Sequence, residues 1–155
     1  MYIRPLVHTD IAAVARLLAT LTDEFIAHES APDCAAAFKR QHNEDAIRSF
    51  VAAGMVYYVA ELGGTVAGFI ALRDNQHVFH LFVDQAHHRK GIARALWQVA
   101  REAAVKAGNA GVFTVNSSNY ALPAYQSMGF ERTDVMQFKD GIYYNPMQLN
   151  GRPGD

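Results

Sequence analysis

Between Leu81 and Trp97 the chain reads LFVDQAHHRKGIARALW. An apolar, strand-like run breaks into His87, His88, Arg89 and Lys90, passes through Gly91 and at once becomes an amphipathic helix. The junction demands a strand that delivers the chain directly into a helix N-terminus, the start of a helical crossover between strands. It also gathers the positive end of a helix dipole, several backbone N–H groups without intrahelical partners, and the cations Arg89, Lys90 and Arg94 in one place. Such a place suits an anion.

The elements around the junction follow from spacing. MYIRPL reads as a short edge strand ending near Pro5. Thr9 is a candidate N-cap for a helix on which Ile11, Val14, Leu17, Leu18 and Leu21 share one face. AAAFKRQHNEDAIRSFVAAG predicts a second helical region, with Asn43 as a cap and Gly54 as its stop. MVYYVAEL and TVAGFIALRD flank Gly63 and Gly64 as a hairpin, and HVFHLFV is the third strand. The helix from Gly91 to about Ala107 buries Ile92, Leu96, Val99 and Ala103 and exposes Arg94, Gln98, Arg101 and Lys106. GVFTV is a strand, ALPAYQSM a short helix with Pro123 in its first turn, and FERTDVMQF and IYYNPMQL a final hairpin around KDG, with Pro146 pointing to an edge. The fold expected is a single α/β domain over residues 1–149: a mixed, largely antiparallel sheet of about seven strands with helices on both faces. Residues 150–155 read as a frayed tail.

Composition removes several classes. A length of 155 residues suits one domain, and 50% hydrophobic with 19% charged residues is the balance of a soluble globular protein. A net charge of −1 argues against a nucleic-acid partner held by a broad basic face. No apolar run approaches the ~20 residues of a membrane span, and MYIRPLVHTD lacks a signal-peptide core, so a cytoplasmic location is expected. The single Cys34 excludes an internal disulfide and has no partner motif. There is no G-x-x-x-x-G-K-[ST] and no G-x-G-x-x-G after a strand, which disfavours nucleotidase and dinucleotide chemistry.

The element order, together with VDQAHHRKGIARAL and VNSSNYALPAYQSMGF, resembles the GCN5-related N-acetyltransferase superfamily over nearly the whole chain. The resemblance implies an acyl-CoA N-acyltransferase fold, acetyl-CoA as donor and no metal. The family's pyrophosphate loop falls on His88, Arg89, Lys90, Gly91, Ile92 and Ala93, with His88 departing from the usual Gln or Arg. Backbone N–H groups there do the work, and Arg89, Lys90 and Arg94 add charge-assisted bonds to phosphate. The resemblance also implies that the pantetheine arm pairs with the backbone of Leu81, Phe82 and Val83. Ser118 falls where the family often has Asn, with Asn119 one residue later, and either is a candidate for cofactor contact.

Tyr125, in register with Gly129 and Phe130, is the candidate proton donor to a departing thiolate. For the general base the candidates are His77 and His80, which strand alternation sends to opposite faces, so that at most one meets the acetyl group. His87 and His88 read as solvated loop residues. Glu24 and His28 are candidates for a cationic acceptor, and Phe25, Met136, Tyr143 and Tyr144 for shaping its pocket. The expected acceptor is a small-molecule amine or a peptide or protein amino group; a homodimer is a further expectation. The competing reading is a non-catalytic acyl-CoA-binding module of the same fold.

Overall fold

In the computed structural model, which describes residues 1–25 and 32–151, Gly63 and Gly64 take φ of 59° and 80° and close a two-residue turn that sets Leu62 opposite Thr65. That positive-φ pair matches the right-handed twist of the strands it joins. His28, residues 152–155 and the side chain of Phe25 lie outside the described residues.

The turn links β2 (Val56–Leu62) to β3 (Thr65–Arg73), and a tight turn through Asp74 and Asn75 leads to β4 (His77–Val83). β1 (Tyr2–Pro5) lies antiparallel to β2 at the sheet's edge. After β4 come α4 (Ile92–Lys106), β5 (Val112–Ser117), α5 (Leu122–Ser127), β6 (Glu131–Arg132), β7 (Gln137–Lys139) and β8 (Ile142–Asn150). The strand order is β1-β2-β3-β4-β5-β8-β6, with β7 also on β8, and β4–β5 is the parallel pair. The fold class is as the sequence implies: one mixed, mostly antiparallel sheet with helices on both faces.

Several details differ from expectation. The stretch FERTDVMQF bends after Arg132, so β6 and β7 share one side of β8 and the sheet has eight strands. Pro146 therefore lies inside the sheet, opposite Asn116 of β5; its carbonyl accepts from Thr133 N just past the end of the two-residue β6, so its nitrogen faces that side too and its missing N–H costs a reciprocal bond there, where the pairing ends, and none to β5. The second helical region is two helices, α2 (Pro32–Gln41) and α3 (Glu44–Ala52), because Asn43 leaves the helix and caps α3 by accepting from Ala46 N. Thr9 is not a cap but part of a 3-10 turn, His8–Asp10, before α1 (Ile11–Phe25), since Asp10 accepts from Arg4 at 2.7 and 3.0 Å and from Val7 N at 2.8 Å. Those bonds hold the Asp10 carboxyl below its usual range, the Arg4 guanidinium foremost.

Two apolar layers sandwich the sheet. On one face α1 and α3 bury Val14, Leu18 and Ile47 against Val59 and Phe69. On the other, α4 presents Ile92, Leu96, Trp97, Ala100 and Ala104, not the expected Val99 and Ala103. Trp97 rotates the helix this way: its ring stands edge-on to Phe113 at 4.9 Å and against Phe130 at 5.3 Å. β8 runs through Asn150, and Gly151 N bonds Gly111 O, so the start of the expected tail belongs to the sheet.

Candidate active site

The parallel pairing of β4 with β5 covers only His77 with Thr114 and Val78 with Val115. Beyond Val78, β4 continues against β3 alone and β5 against β8 alone, so the sheet opens into a wedge. A cleft of about 740 Å³ occupies that wedge, with Leu81, Phe82 and Val83 on one wall and Ser118, Tyr120 and Tyr125 on the other. Asp84 donates its N–H to Ala67 O at 2.8 Å. By alternation the backbone groups of Phe82 then face β3, while those of Leu81 and Val83 face the gap. Of the three residues expected to pair with an extended ligand, Leu81 and Val83 turn their backbone to the gap, whereas Phe82 turns its backbone to β3 and stacks its ring on Phe69.

The wedge ends at the N-terminus of α4. Gly91 is the N-cap, at φ of 75°, and among the described residues no side chain caps the first-turn N–H groups. Arg89 also takes a positive φ of 64°, so the loop turns its backbone sharply before the helix begins. Arg89, Gly91, Ile92, Ala93 and Arg94 line the cleft; Lys90 is exposed beside it. Arg94 reaches across to α5, donating to Ser127 O at 3.2 Å. Helix dipole, open N–H groups and neighbouring cations converge here, an arrangement that suits an anion.

His88 and His87 are half-buried rather than solvated. His88 donates Nε2–H to Val83 O at 2.8 Å, and its Nδ1 meets the Tyr120 hydroxyl at 3.0 Å, which ties the two walls together. The nitrogen Nδ1 of His87 is buried without a partner. Ser118 lines the cleft, and its Oγ accepts from Ala121 N; the Asn119 carboxamide oxygen accepts instead from Asn145.

Tyr125 is 5% exposed, its ring edge-on to Phe130 at 5.5 Å, and it lines the cleft. Burial pushes its phenol above the ordinary range, so the hydroxyl stays protonated near neutral pH. Among the described residues nothing bonds that hydroxyl.

Neither candidate base lines the cleft. A bulge in β4 pairs Ala71 with His80 and Leu72 with Val78, leaving Phe79 as the extra residue. The odd spacing of His77 and His80 consequently does not separate them: both lie on the α1–α3 face, His77 bonded to Thr114 Oγ1 at 2.7 Å and His80 packed on Phe69 and Tyr57. His80 is 3% exposed; its Nε2 meets His42 Nδ1 at 2.9 Å and its Nδ1 the Tyr57 hydroxyl at 3.3 Å. Desolvation lowers the His80 imidazole well below its ordinary value, with His42 adding to it, and lowers His77 as well. Tyr143 and Tyr144 are half-buried on β8, and Met136 is 44% exposed; none lines the cleft. His42, Tyr57, Tyr120 and Asn145 were not legible in the sequence, since no periodicity or motif marks them.

Among the described residues, no three His, Cys, Asp or Glu side chains converge as metal ligands, and no helix is long and apolar enough to cross a membrane.

Residues 18–150 match the family described as the acetyltransferase (GNAT) domain. Human N-acetyltransferase 8 is 38% identical over 93 residues, covering 52% of this chain and 40% of that protein. Rat N-acetyltransferase family 8 member 2 is 33% identical over 100 residues, covering 57% and 44%. The chain thus matches less than half the length of these curated relatives. Among solved structures, the PaiA N-acetyltransferase of Thermoplasma acidophilum in complex with coenzyme A superposes with a TM-score of 0.82 at 15% identity, covering 97% and 98% of the two chains. The structure of yncA from Salmonella typhimurium with its cofactor acetyl-CoA gives 0.72 at 19% identity, covering 100% and 95%. At such identities these structures speak for the fold.

Proposed function

The chain belongs to the acetyltransferase (GNAT) domain family, and from that premise we propose that it transfers an acetyl group from acetyl-CoA to an amino group of an acceptor. The observation that carries this reading is the continuity of one cleft, from the strand edge at Leu81 and Val83 to the N-terminus of α4 at Gly91. An extended amide-bearing arm pairs with the first, and a diphosphate with the second. The residues present fit the group: an open strand edge, first-turn N–H groups without side-chain caps, and the cations Arg89, Lys90 and Arg94 at the mouth.

Acetyl-CoA supplies an activated thioester. Leu81 and Val83 align it along β4, and the α4 N-terminus fixes its diphosphate. As the amine nitrogen forms the new C–N bond and the C–S bond breaks, Tyr125 donates its proton to the departing sulfur; the proton released by the amine nitrogen passes to water, and the phenolate is reprotonated from water. His77 and His80 stand outside the cleft, so the reading gives the proton transfer at sulfur to Tyr125 and leaves both histidines structural. The acceptor is a small amine or a peptide or protein amino group. Glu24 supports a cationic acceptor: it lies one turn beyond Leu21, which lines the cleft, and its Oε2 is buried without a partner. The exposed Val135, just before β7, and Phe138, within it, at 72% and 59%, support self-association through the last hairpin.

Calorimetric titration with acetyl-CoA, dephospho-coenzyme A and adenosine diphosphate tests the reading. Micromolar binding that weakens without the 3′-phosphate is expected, followed by thiol release when amines are added. Absence of binding at millimolar ligand overturns the donor assignment. Binding without thiol release toward any amine favours the non-catalytic module.

A further inference from the structure

The far wall of the cleft is the short segment from Ser117 to Ala121 and the helix α5 that follows it. Ser118, Tyr120 and Tyr125 all hang from that segment, and β5 has already lost its partner β4 where it begins. Something must hold it.

The holding residue is Asn145, in the middle of β8. It is 0% exposed, and it spends both amide hydrogens on this segment, donating to Ser117 O at 3.1 Å and to Asn119 Oδ1 at 2.8 Å. Its own Oδ1 is buried with no partner. A carboxamide with one unsatisfied oxygen is a costly way to fill a core position; an apolar side chain of similar shape avoids that cost. Its neighbours on the same face of β8, Met147 and Leu149, are apolar core residues. The two donated bonds are therefore what the position supplies. From the opposite side of the cleft, His88 engages the Tyr120 hydroxyl, so the segment is pinned from beneath by β8 and from across the gap by the loop before α4.

We propose that Asn145 is a positioning residue for acetyl transfer: through Ser117 and Asn119 it fixes the wall that carries Ser118 and Tyr125, and so sets the distance between the Tyr125 hydroxyl and the donor's sulfur. The inference rests on the cleft being the acyl-donor site. It places Asn145 behind the wall, touching neither donor nor acceptor.

The test pairs Asn145→Leu with Asn119→Ala and the double variant. Melting temperature, calorimetric affinity for acetyl-CoA and steady-state kinetics are measured on each. Asn145→Leu is expected to melt no lower than the parent, yet to lose about ten-fold or more in kcat, as misplacement of a reacting group does. Asn119→Ala should lose part of the same factor, and the double variant should be no worse than Asn145→Leu, because both act through one contact. Unchanged kcat in a folded Asn145→Leu overturns the proposal, as do losses that multiply in the double variant. If Asn145→Leu does not fold, Asn119→Ala alone decides: kcat equal to the parent's contradicts the role. A parent protein that binds no acetyl-CoA refutes the donor site itself, a result separate from either outcome for Asn145.

Discussion

The imidazoles of His42 and His80 meet Nδ1 to Nε2 at 2.9 Å, although 38 residues separate them in the chain. His42 stacks on Phe38 at 4.1 Å and both rings lie among Phe50 and Phe79, so the pair is an uncharged polar contact inside an aromatic layer. Desolvation brings His42 down to about 4 and, with His42 beside it, holds His80 well below its ordinary value.

That pair makes stability fall in mild acid. The unfolded chain takes up protons at these histidines near pH 6.5, whereas the folded one resists, so the contribution is complete above that pH and drains away as pH drops toward 4. Thermal melts between pH 7.5 and 4.5 should show a decline of roughly 1 kcal/mol per pH unit below pH 6. His42→Leu should make the decline shallower without removing it, because His80 stays buried. Asp10, whose carboxyl is depressed by Arg4, adds a separate loss below about pH 4. A flat melting profile in His42→Leu and parent alike would show the pair to be irrelevant to acid sensitivity.

Gly91→Val should abolish micromolar binding of coenzyme A while leaving a folded protein. A Cβ at Gly91 meets nothing within 4 Å, so the new side chain enters open space at the helix N-terminus rather than the core. The cost to the fold is that of a β-branched residue at φ of 75°, on the order of 1–3 kcal/mol. Normal affinity in the folded variant contradicts the diphosphate site.

Tyr125→Phe should reduce kcat by about 10²-fold while acetyl-CoA affinity stays within a factor of about two. The melting temperature should hardly move, because the ring contact with Phe130 survives. An unchanged turnover number would remove the proton donor from the reading.

His77→Gln is expected to leave kcat/KM and its acid limb intact. The side chain bonds Thr114 at the closed end of the wedge, where β4 and β5 are still paired. If the acid limb disappears in this variant, His77 is the base after all and the strands must part further than they do here.

Local signals carried the elements. The glycine pair at Gly63 and Gly64, the Asn43 cap, Pro123 in the first turn of α5 and the strand HVFHLFV all stand where spacing and turn chemistry put them. The junction at Gly91 likewise announced a helix N-terminus with open N–H groups, because such a site is built from consecutive residues. What the chain alone could not reveal depends on one extra residue or on distant partners. The bulge at Phe79 reverses the parity on which the separation of His77 and His80 rested, and no local pattern marks it. Trp97 turns α4 toward Phe113 and Phe130, which arrive later in the chain. The Asn145 contact with Asn119 and the His88 contact with Tyr120 exist only once the sheet has closed. Sequence by itself determined most of the elements, their order and the helix N-terminus with open N–H groups at Gly91, since these are decided by neighbours along the chain. Tertiary structure decided how far β4 and β5 part and which side chains face the gap, since these follow from packing between segments far apart in sequence.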